Sequence, residues 1–282
     1  MVIQETNAAV DSVNSRASVA LTIAGSDSGG GAGIQADIKT FSALGTYATS
    51  VLTAITAQNT QTVSAVHDIP RDIVKAQIDA VFDDIQVDAV KIGMLSSSEI
   101  IATVASCLQG RNVPIILDPV MVAKSGDLLL QNEAVATLKS ELLPLATLLT
   151  PNLPEAAVLL GQPEANTEDE ITQQGQALLD LGVKAVLMKG GHLASQTCID
   201  VLMNRHEAPF KLSAQRIKTN NTHGTGCTLS SAITALISQG VPLKKAVEQA
   251  KSYLYSAIQQ SDELAIGHGH GPVHHFYRQW QE

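Results

Sequence analysis

Asn221-Thr222-His223-Gly224-Thr225-Gly226-Cys227-Thr228-Leu229-Ser230-Ser231 reads as a loop turning into a helix. The helix continues through Ala232 to Ser238 and stops at Gly240-Val241-Pro242, with Leu229, Ile233, Leu236 and Ile237 on one face. Gly224 and Gly226 let the backbone approach a ligand closely. The first N–H groups of a helix lack partners within it, so the stretch predicts an anion pocket suited to phosphate. It is not a Walker loop, and Leu229 stands where a dinucleotide fingerprint would carry its third glycine. Alone, a glycine pair at a helix start is equally an ordinary cap and turn. Cys227, in the first turn beside free N–H groups, is expected to have a lowered pKa and to act as a base or nucleophile.

Working outward, short apolar runs alternate with longer segments of helical period, which predicts β/α units around a parallel sheet. The runs are Val19 to Ala24, Tyr47 to Ala57, Ala89 to Ile92, Pro114 to Leu117, Ala146 to Thr150 and Ala185 to Met188. They scarcely alternate, as strands covered on both faces should not. Helices are predicted over Arg71 to Asp84, Glu99 to Leu108, Asn132 to Leu143, Glu168 to Leu181 and Leu243 to Gln260. Tyr47 to Ile69 and residues 197–217 each read as two β-rich runs around a polar turn, the first as a strand pair outside the main sheet. Residues 1–17 are read as a flexible N-terminal extension, unlike a secretory or transit peptide, and residues 18–282 as one domain.

Composition narrows the partners. The chain has 282 residues, 45% of them hydrophobic, a formal charge of −9 and 3% aromatic residues. That balance excludes a nucleic-acid partner, which needs clustered cations and stacking rings. No apolar run reaches the roughly 18 residues of a membrane span. Cys107, Cys198 and Cys227 lie far apart without metal-ligand spacing, which suits a reducing cytoplasm.

The residues that end the runs are Gly25-Ser26-Asp27, Gln58-Asn59, Gly93-Met94, Asp118, Asn152 and Lys189-Gly190. In an open parallel sheet these endings share the carboxyl edge, where ligands bind. Asp118, Asn152 and Glu155 are oxygen ligands suited to Mg²⁺, Glu155 in part through water. Asn152 and Glu155 equally fit a helix cap and capping box, and the two readings are compatible. Lys189 puts a cation on the same edge, where a phosphate would meet it. Opposite charges about 4 Å apart gain about 1 kcal/mol in water but about 4 at an effective dielectric of 20, so a flap excluding water would strengthen these contacts. Gly25 to Gly33 is dense enough in glycine to pass close to a small substrate, with Asp27 holding a polar group. The histidines of Gly267 to His275 do not specify a metal site.

Collected, these residues resemble the hydroxymethylpyrimidine/phosphomethylpyrimidine kinases of the ribokinase-like superfamily over about residues 19 to 280. The motifs are Ala24 to Asp37, Thr56-Ala57-Gln58-Asn59-Thr60, Lys91-Ile92-Gly93-Met94-Leu95, Asp118-Pro119-Val120-Met121, Thr150-Pro151-Asn152-Leu153-Pro154-Glu155-Ala156, Lys189-Gly190-Gly191-His192 and the opening loop. The resemblance implies a three-layer α/β/α sandwich with a mostly parallel sheet and a small β flap, a homodimer, and ATP with Mg²⁺. It implies phosphorylation of 4-amino-5-hydroxymethyl-2-methylpyrimidine to its monophosphate and then its diphosphate, in thiamine biosynthesis. Gln58 then binds the pyrimidine, with Met94, Val120, Gly25 and Asp27 around it. Lys189 contacts phosphates, and Gly224, Thr225, Gly226 and Cys227 form the anion hole. Cys227 stands where most ribokinase-like sugar kinases carry an aspartate base. A pyridoxal kinase is the nearest rival, and a non-catalytic ligand-binding protein a more distant one.

Overall fold

The computed structural model describes residues 16–121, 132–192 and 196–280. Residues 1–15 of the expected extension lie outside them, while Arg16 Nη2 sits 2.5 Å from Asp88 Oδ1. One sheet of nine strands runs through the chain: β1 (Val19–Asp27), β2 (Tyr47–Gln58), β3 (Val63–Asp68), β4 (Ala89–Ile92), β5 (Ile115–Leu117), β6 (Leu148–Leu149), β7 (Ala185–Lys189), β8 (Thr197–Asn204) and β9 (Phe210–Gln215). Their spatial order is β3-β2-β1-β4-β5-β6-β7-β8-β9. The strands from β2 to β7 are parallel, and β3, β8 and β9 are joined antiparallel.

Helices α1 (Gly33–Ala43), α2 (Arg71–Asp84), α3 (Ser98–Leu108), α4 (Asn132–Thr137), α5 (Leu153–Leu160), α6 (Glu168–Asp180), α7 (Thr225–Ser238) and α8 (Leu243–Gln259) cover both faces. Ile78 of α2, Val104 of α3 and Leu178 of α6 pack with Ile23, Ile92, Leu117 and Leu149 of the sheet. On the other face, Ile233 of α7 and Val247 of α8 pack with Ile116, Leu148 and Leu187. The result is the expected three-layer sandwich, because each parallel strand buries side chains in both directions.

Two expectations change. The pair outside the main sheet is instead one edge of it: β2 pairs parallel with β1 from Tyr47 to Thr56 and antiparallel with β3. The pair at 197–217 forms the opposite edge, β8 joining β7. Turn residues announce a hairpin, but which strand a β-run joins is decided by distant partners. The helix expected over Asn132 to Leu143 keeps α geometry only to Thr137, then passes through a π turn at Leu138–Leu142 and a 3-10 turn carrying Pro144. Among the described residues no helix is long and apolar enough to cross a membrane.

At the centre, the Lys91 side chain is wholly buried with its Nζ 2.8 Å from Asp37 Oδ2. Thr22 Oγ1 donates to the same oxygen at 2.6 Å, and Ser231 Oγ donates to Oδ1 at 2.6 Å. Burial alone would pull the Lys91 pKa down, but the Asp37 carboxylate beside it more than reverses that and keeps the ammonium charged. Removing one partner of such a pair leaves a bare charge in the interior. Asp37→Ala is therefore expected to cost about 3–5 kcal/mol in urea unfolding. The double variant Asp37→Leu/Lys91→Met should recover most of that loss.

Candidate active site

The carboxyl ends of β1, β2, β4, β5, β6 and β7 meet the N-terminal end of α7 around a cleft of about 510 Å³. Its lining includes every residue given a catalytic, binding or metal role from the sequence: Gly25, Asp27, Gln58, Met94, Asp118, Val120, Asn152, Glu155, Lys189, Gly224, Thr225, Gly226 and Cys227; the strand-end neighbours Asn59, Gly93 and Gly190 are not part of it. This juxtaposition follows from topology, since successive right-handed β/α units bring strand ends to one edge.

Gly224 caps α7 with φ 78°, a conformation that glycine adopts without strain. A Cβ there would also collide with the Gly31 carbonyl, so the anion loop and the glycine-rich loop lie backbone against backbone. By helix geometry the N–H groups of Gly226 and Cys227 have no partner within α7. A Cβ on Gly226 would lie 3.4 Å from Lys189 Nζ and 3.5 Å from Asp118 Oδ2, which places the ammonium beside the loop. The first turn of α7 and Lys189 thus present positive charge to the same space.

Lys189 Nζ donates to Asp118 Oδ1 at 2.9 Å and lies 3.9 Å from Glu155 Oε2. Thr150 Oγ1 donates to Asp118 Oδ1 at 3.1 Å, and Ser230 Oγ to Oδ2 at 3.3 Å. Burial works to raise the Asp118 carboxyl, but Lys189 and Lys91 outweigh it and hold it below the usual range. Glu155 is pushed up to about 7 by burial, Lys189 opposing and Asp118 adding to the rise. Asn152 and Glu155 form a capping box: Asn152 Oδ1 accepts the Glu155 N–H and Glu155 Oε2 accepts the Asn152 N–H, each at 2.8 Å. Oε1 of Glu155 accepts from no protein donor among the described residues, so the cap leaves a carboxylate oxygen for the cleft. Among the described residues no three His, Cys, Asp or Glu side chains close into a metal cage. The donor set of Asp118, Asn152 and Glu155 fits instead a hard cation that touches few side chains and keeps its waters.

Cys227 differs from its expectation. Burial pushes the thiol up to about 11, with Lys91 opposing and the Asp37 and Asp118 carboxylates adding to the rise. A helix terminus favours a thiolate only modestly, and desolvation beside two carboxylates exceeds it. Asp27 also has a second task. Its Oδ1 accepts the Gly29 N–H at 2.8 Å, and its Oδ2 accepts those of Gly31 and Ala32 at 3.0 and 2.8 Å. The same Oδ2 lies 2.8 Å from His223 Nε2. Its carboxylate therefore shapes the glycine-rich loop from within.

Lys91, Thr56 and His223 also line the cleft, although nothing in their sequence surroundings assigns them a role. Lys91 sits inside an apolar strand, and its charge there is explained by carboxylates distant in sequence, Asp37 foremost. His223 lies within the opening loop, yet its partners Asp27 and Gln58 are far away in sequence. In the C-terminal tail, His275 is buried with its Nε2 3.1 Å from Thr228 Oγ1, and burial pulls it down to about 3. It is a neutral structural histidine.

The phosphomethylpyrimidine kinase family matches residues 27–274. The hydroxymethylpyrimidine/phosphomethylpyrimidine kinase of Rhizobium meliloti is 56% identical over 264 residues, 94% of this chain and 99% of that protein. The phosphomethylpyrimidine kinase of Clostridium difficile superposes with a TM-score of 0.75 at 48% identity, over 85% of this chain and 99% of the other. The ADP complex of Bacillus subtilis pyridoxal kinase superposes with a TM-score of 0.87 at 37% identity, over 94% of this chain and 100% of the other. Backbone shape is thus shared with pyridoxal kinases, while identity is higher to the pyrimidine enzymes. With the family match spanning nearly the whole described fold, the chain belongs to the phosphomethylpyrimidine kinase family.

Proposed function

We propose that this cleft transfers the γ-phosphoryl group of ATP to the hydroxymethyl group of 4-amino-5-hydroxymethyl-2-methylpyrimidine, and then a second phosphoryl group to the resulting monophosphate. The observation that carries the reading is the convergence of Gln58, Cys227, Lys189 and the anion loop on one cleft. The ADP complex of the Bacillus subtilis relative supports ATP as the donor. Family membership makes the chain a kinase of thiamine biosynthesis.

Phosphoryl transfer asks a protein for positioning and charge stabilisation more than for covalent chemistry. Gln58 and Met94 hold the acceptor ring, while Gly25 and Val120 bound its pocket. Lys189 and the N–H groups of Gly226 and Cys227 take the negative charge of the transferring group. Asp118, Asn152 and Glu155 would hold Mg²⁺, which when bound neutralises charge on the phosphate oxygens. Asp118 also fixes Lys189 in place.

With its thiol near 11, Cys227 is protonated at neutral pH in the free enzyme. To act as a base it first releases that proton to solvent, and the thiolate so formed takes the hydroxyl proton late, as bond formation makes that hydroxyl acidic, which suits a loose transition state. The monophosphate offers an oxygen that is already ionised, so the second transfer needs no base. A second copy of the chain is the proposed partner, covering Tyr47, Ile55 and Val66, which are exposed on β2 and β3. A cytoplasmic setting accords with Cys107, Cys198 and Cys227 all being unpaired.

Turnover of the pyrimidine, its monophosphate and pyridoxal, measured side by side with products identified by mass, tests the assignment. Both pyrimidines should yield ADP and phosphorylated product; ADP release with pyridoxal alone would assign the site to that vitamin. Cys227→Ala is expected to slow the first transfer by about 10²- to 10⁴-fold and the second by less than about tenfold. Equal losses in both steps would remove the base role. In the free enzyme, alkylation of Cys227 by iodoacetamide should accelerate about tenfold per pH unit from pH 7 to about 10, because the thiolate fraction rises at that rate below the pKa. Peptide mass spectrometry reads this directly, and a plateau near pH 8 would contradict it.

A further inference from the structure

Gln58 has an amide with two ends, and each end faces a neighbour. Oε1 lies 3.2 Å from Thr56 Oγ1 and Nε2 lies 3.4 Å from His223 Nε2. Amide nitrogen and oxygen are distinguished by their partners, so the protons have to be counted. Thr56 has one hydroxyl proton, and the Ser26 carbonyl oxygen at 2.7 Å can only accept it. Thr56 is then an acceptor toward Gln58. His223 Nε2 lies 2.8 Å from Asp27 Oδ2, which already accepts N–H bonds from the glycine-rich loop as a carboxylate. The proton between them therefore sits on His223 Nε2, and that nitrogen has no lone pair left for a second donor. Both neighbours demand the same orientation: amide nitrogen toward Thr56, amide oxygen toward His223, whose N–H is shared between Asp27 and Gln58.

We propose that His223 is a specificity-determining positioning residue: held by Asp27, it fixes which end of the Gln58 amide donates and which accepts. The inference rests on the reading of Gln58 as the residue that binds the acceptor ring. The cleft then meets the ring with a free N–H on the Thr56 side and a free oxygen lone pair on the His223 side. A 4-aminopyrimidine presents a ring-nitrogen acceptor next to an amino donor, which complements that order. The 4-oxo analogue presents a ring N–H next to a carbonyl, the reverse order. To bind it, the amide would turn over and set its NH₂ against the His223 N–H and its oxygen against the Thr56 lone pairs. Polar groups left unpaired in this way are what make a hydrogen-bonding site reject a near-isostere.

The test compares kcat/KM for the 4-amino compound and its 4-oxo analogue in the wild type, His223→Phe, His223→Gln and Gln58→Ala, each checked by thermal unfolding. The wild type should prefer the amino compound by about hundredfold or more, as expected of a site built on paired hydrogen bonds. His223→Phe should bring the ratio within about tenfold, by raising KM for the amino compound while KM for ATP stays within about threefold. His223→Gln, which retains a donor toward Asp27, should return the ratio to within about threefold of the wild type. If His223→Phe keeps the wild-type ratio and loses kcat equally for both compounds, the proposal is overturned. A wild type with no preference overturns it too. If Gln58→Ala keeps the preference, it is the reading of Gln58 as the ring-binding residue that fails. Should His223→Phe not fold, His223→Leu carries the same comparison.

Discussion

An ammonium and a carboxylate moved from water into a protein interior each forfeit several kcal/mol of hydration, which only a close and fully hydrogen-bonded contact returns. Lys91 and Asp37 meet that condition by drawing donors from three elements onto the carboxylate of a fourth: Thr22 of β1, Lys91 of β4 and Ser231 of α7 meet Asp37 on α1. The glycine-rich loop runs into α1 at Gly33, and the anion loop into α7 at Thr225. One buried pair therefore sets the position of both helices whose N-terminal ends bear on the cleft. The same pair lies behind Cys227, whose thiol feels Lys91 and Asp37 with opposite signs.

Charge in the cleft is arranged in layers. Asp118 stands between Lys189 and Lys91, and both lysines hold it ionised. Lys189 in turn keeps its charge against burial because Asp118 and Glu155 flank it. In the proposed reaction this keeps a cation fixed where phosphate oxygens would arrive. Glu155, with its carboxyl near 7, is the group whose charge adapts to what binds. Such fixed dipoles and charges need no reorganisation during transfer, which is where most electrostatic catalysis originates.

The sequence was informative wherever the physics is local. The apolar runs at Val19 and Ala89, interrupted only by Thr22 and Lys91, mark β1 and β4, the spacing of Val74, Ile78 and Val81 marks α2, and Asn152 with Glu155 announces the capping box. The strand-end residues converge because a parallel sheet gathers its carboxyl ends on one edge, so the meeting of Gln58, Asp118 and Lys189 is legible in the sequence alone. What could not be read is non-local. The hairpin at β2 and β3 shows its turn but not that β1 is its neighbour. Cys227 advertises a helix terminus, while the carboxylates that oppose it, Asp37 of α1 and Asp118 just past β5, come from far along the chain. His223 carries no local sign of Asp27, which is brought to it by folding alone.

Gly224 and Gly31 lie so close that neither loop has room for a side chain where they touch. The two loops are therefore complementary castings of each other, and a change in one is tolerated only with a matching change in the other. Residues bound in that way drift slowly, because single substitutions pass through a misfitted intermediate. Where Met94, Val120 and Val158 line the cleft, its wall is made of side chains, which can give way more easily than backbone. If that wall bounds the acceptor ring as proposed, a pocket for rings of other size and substitution is reached by changes there, with the two glycine loops left as they are.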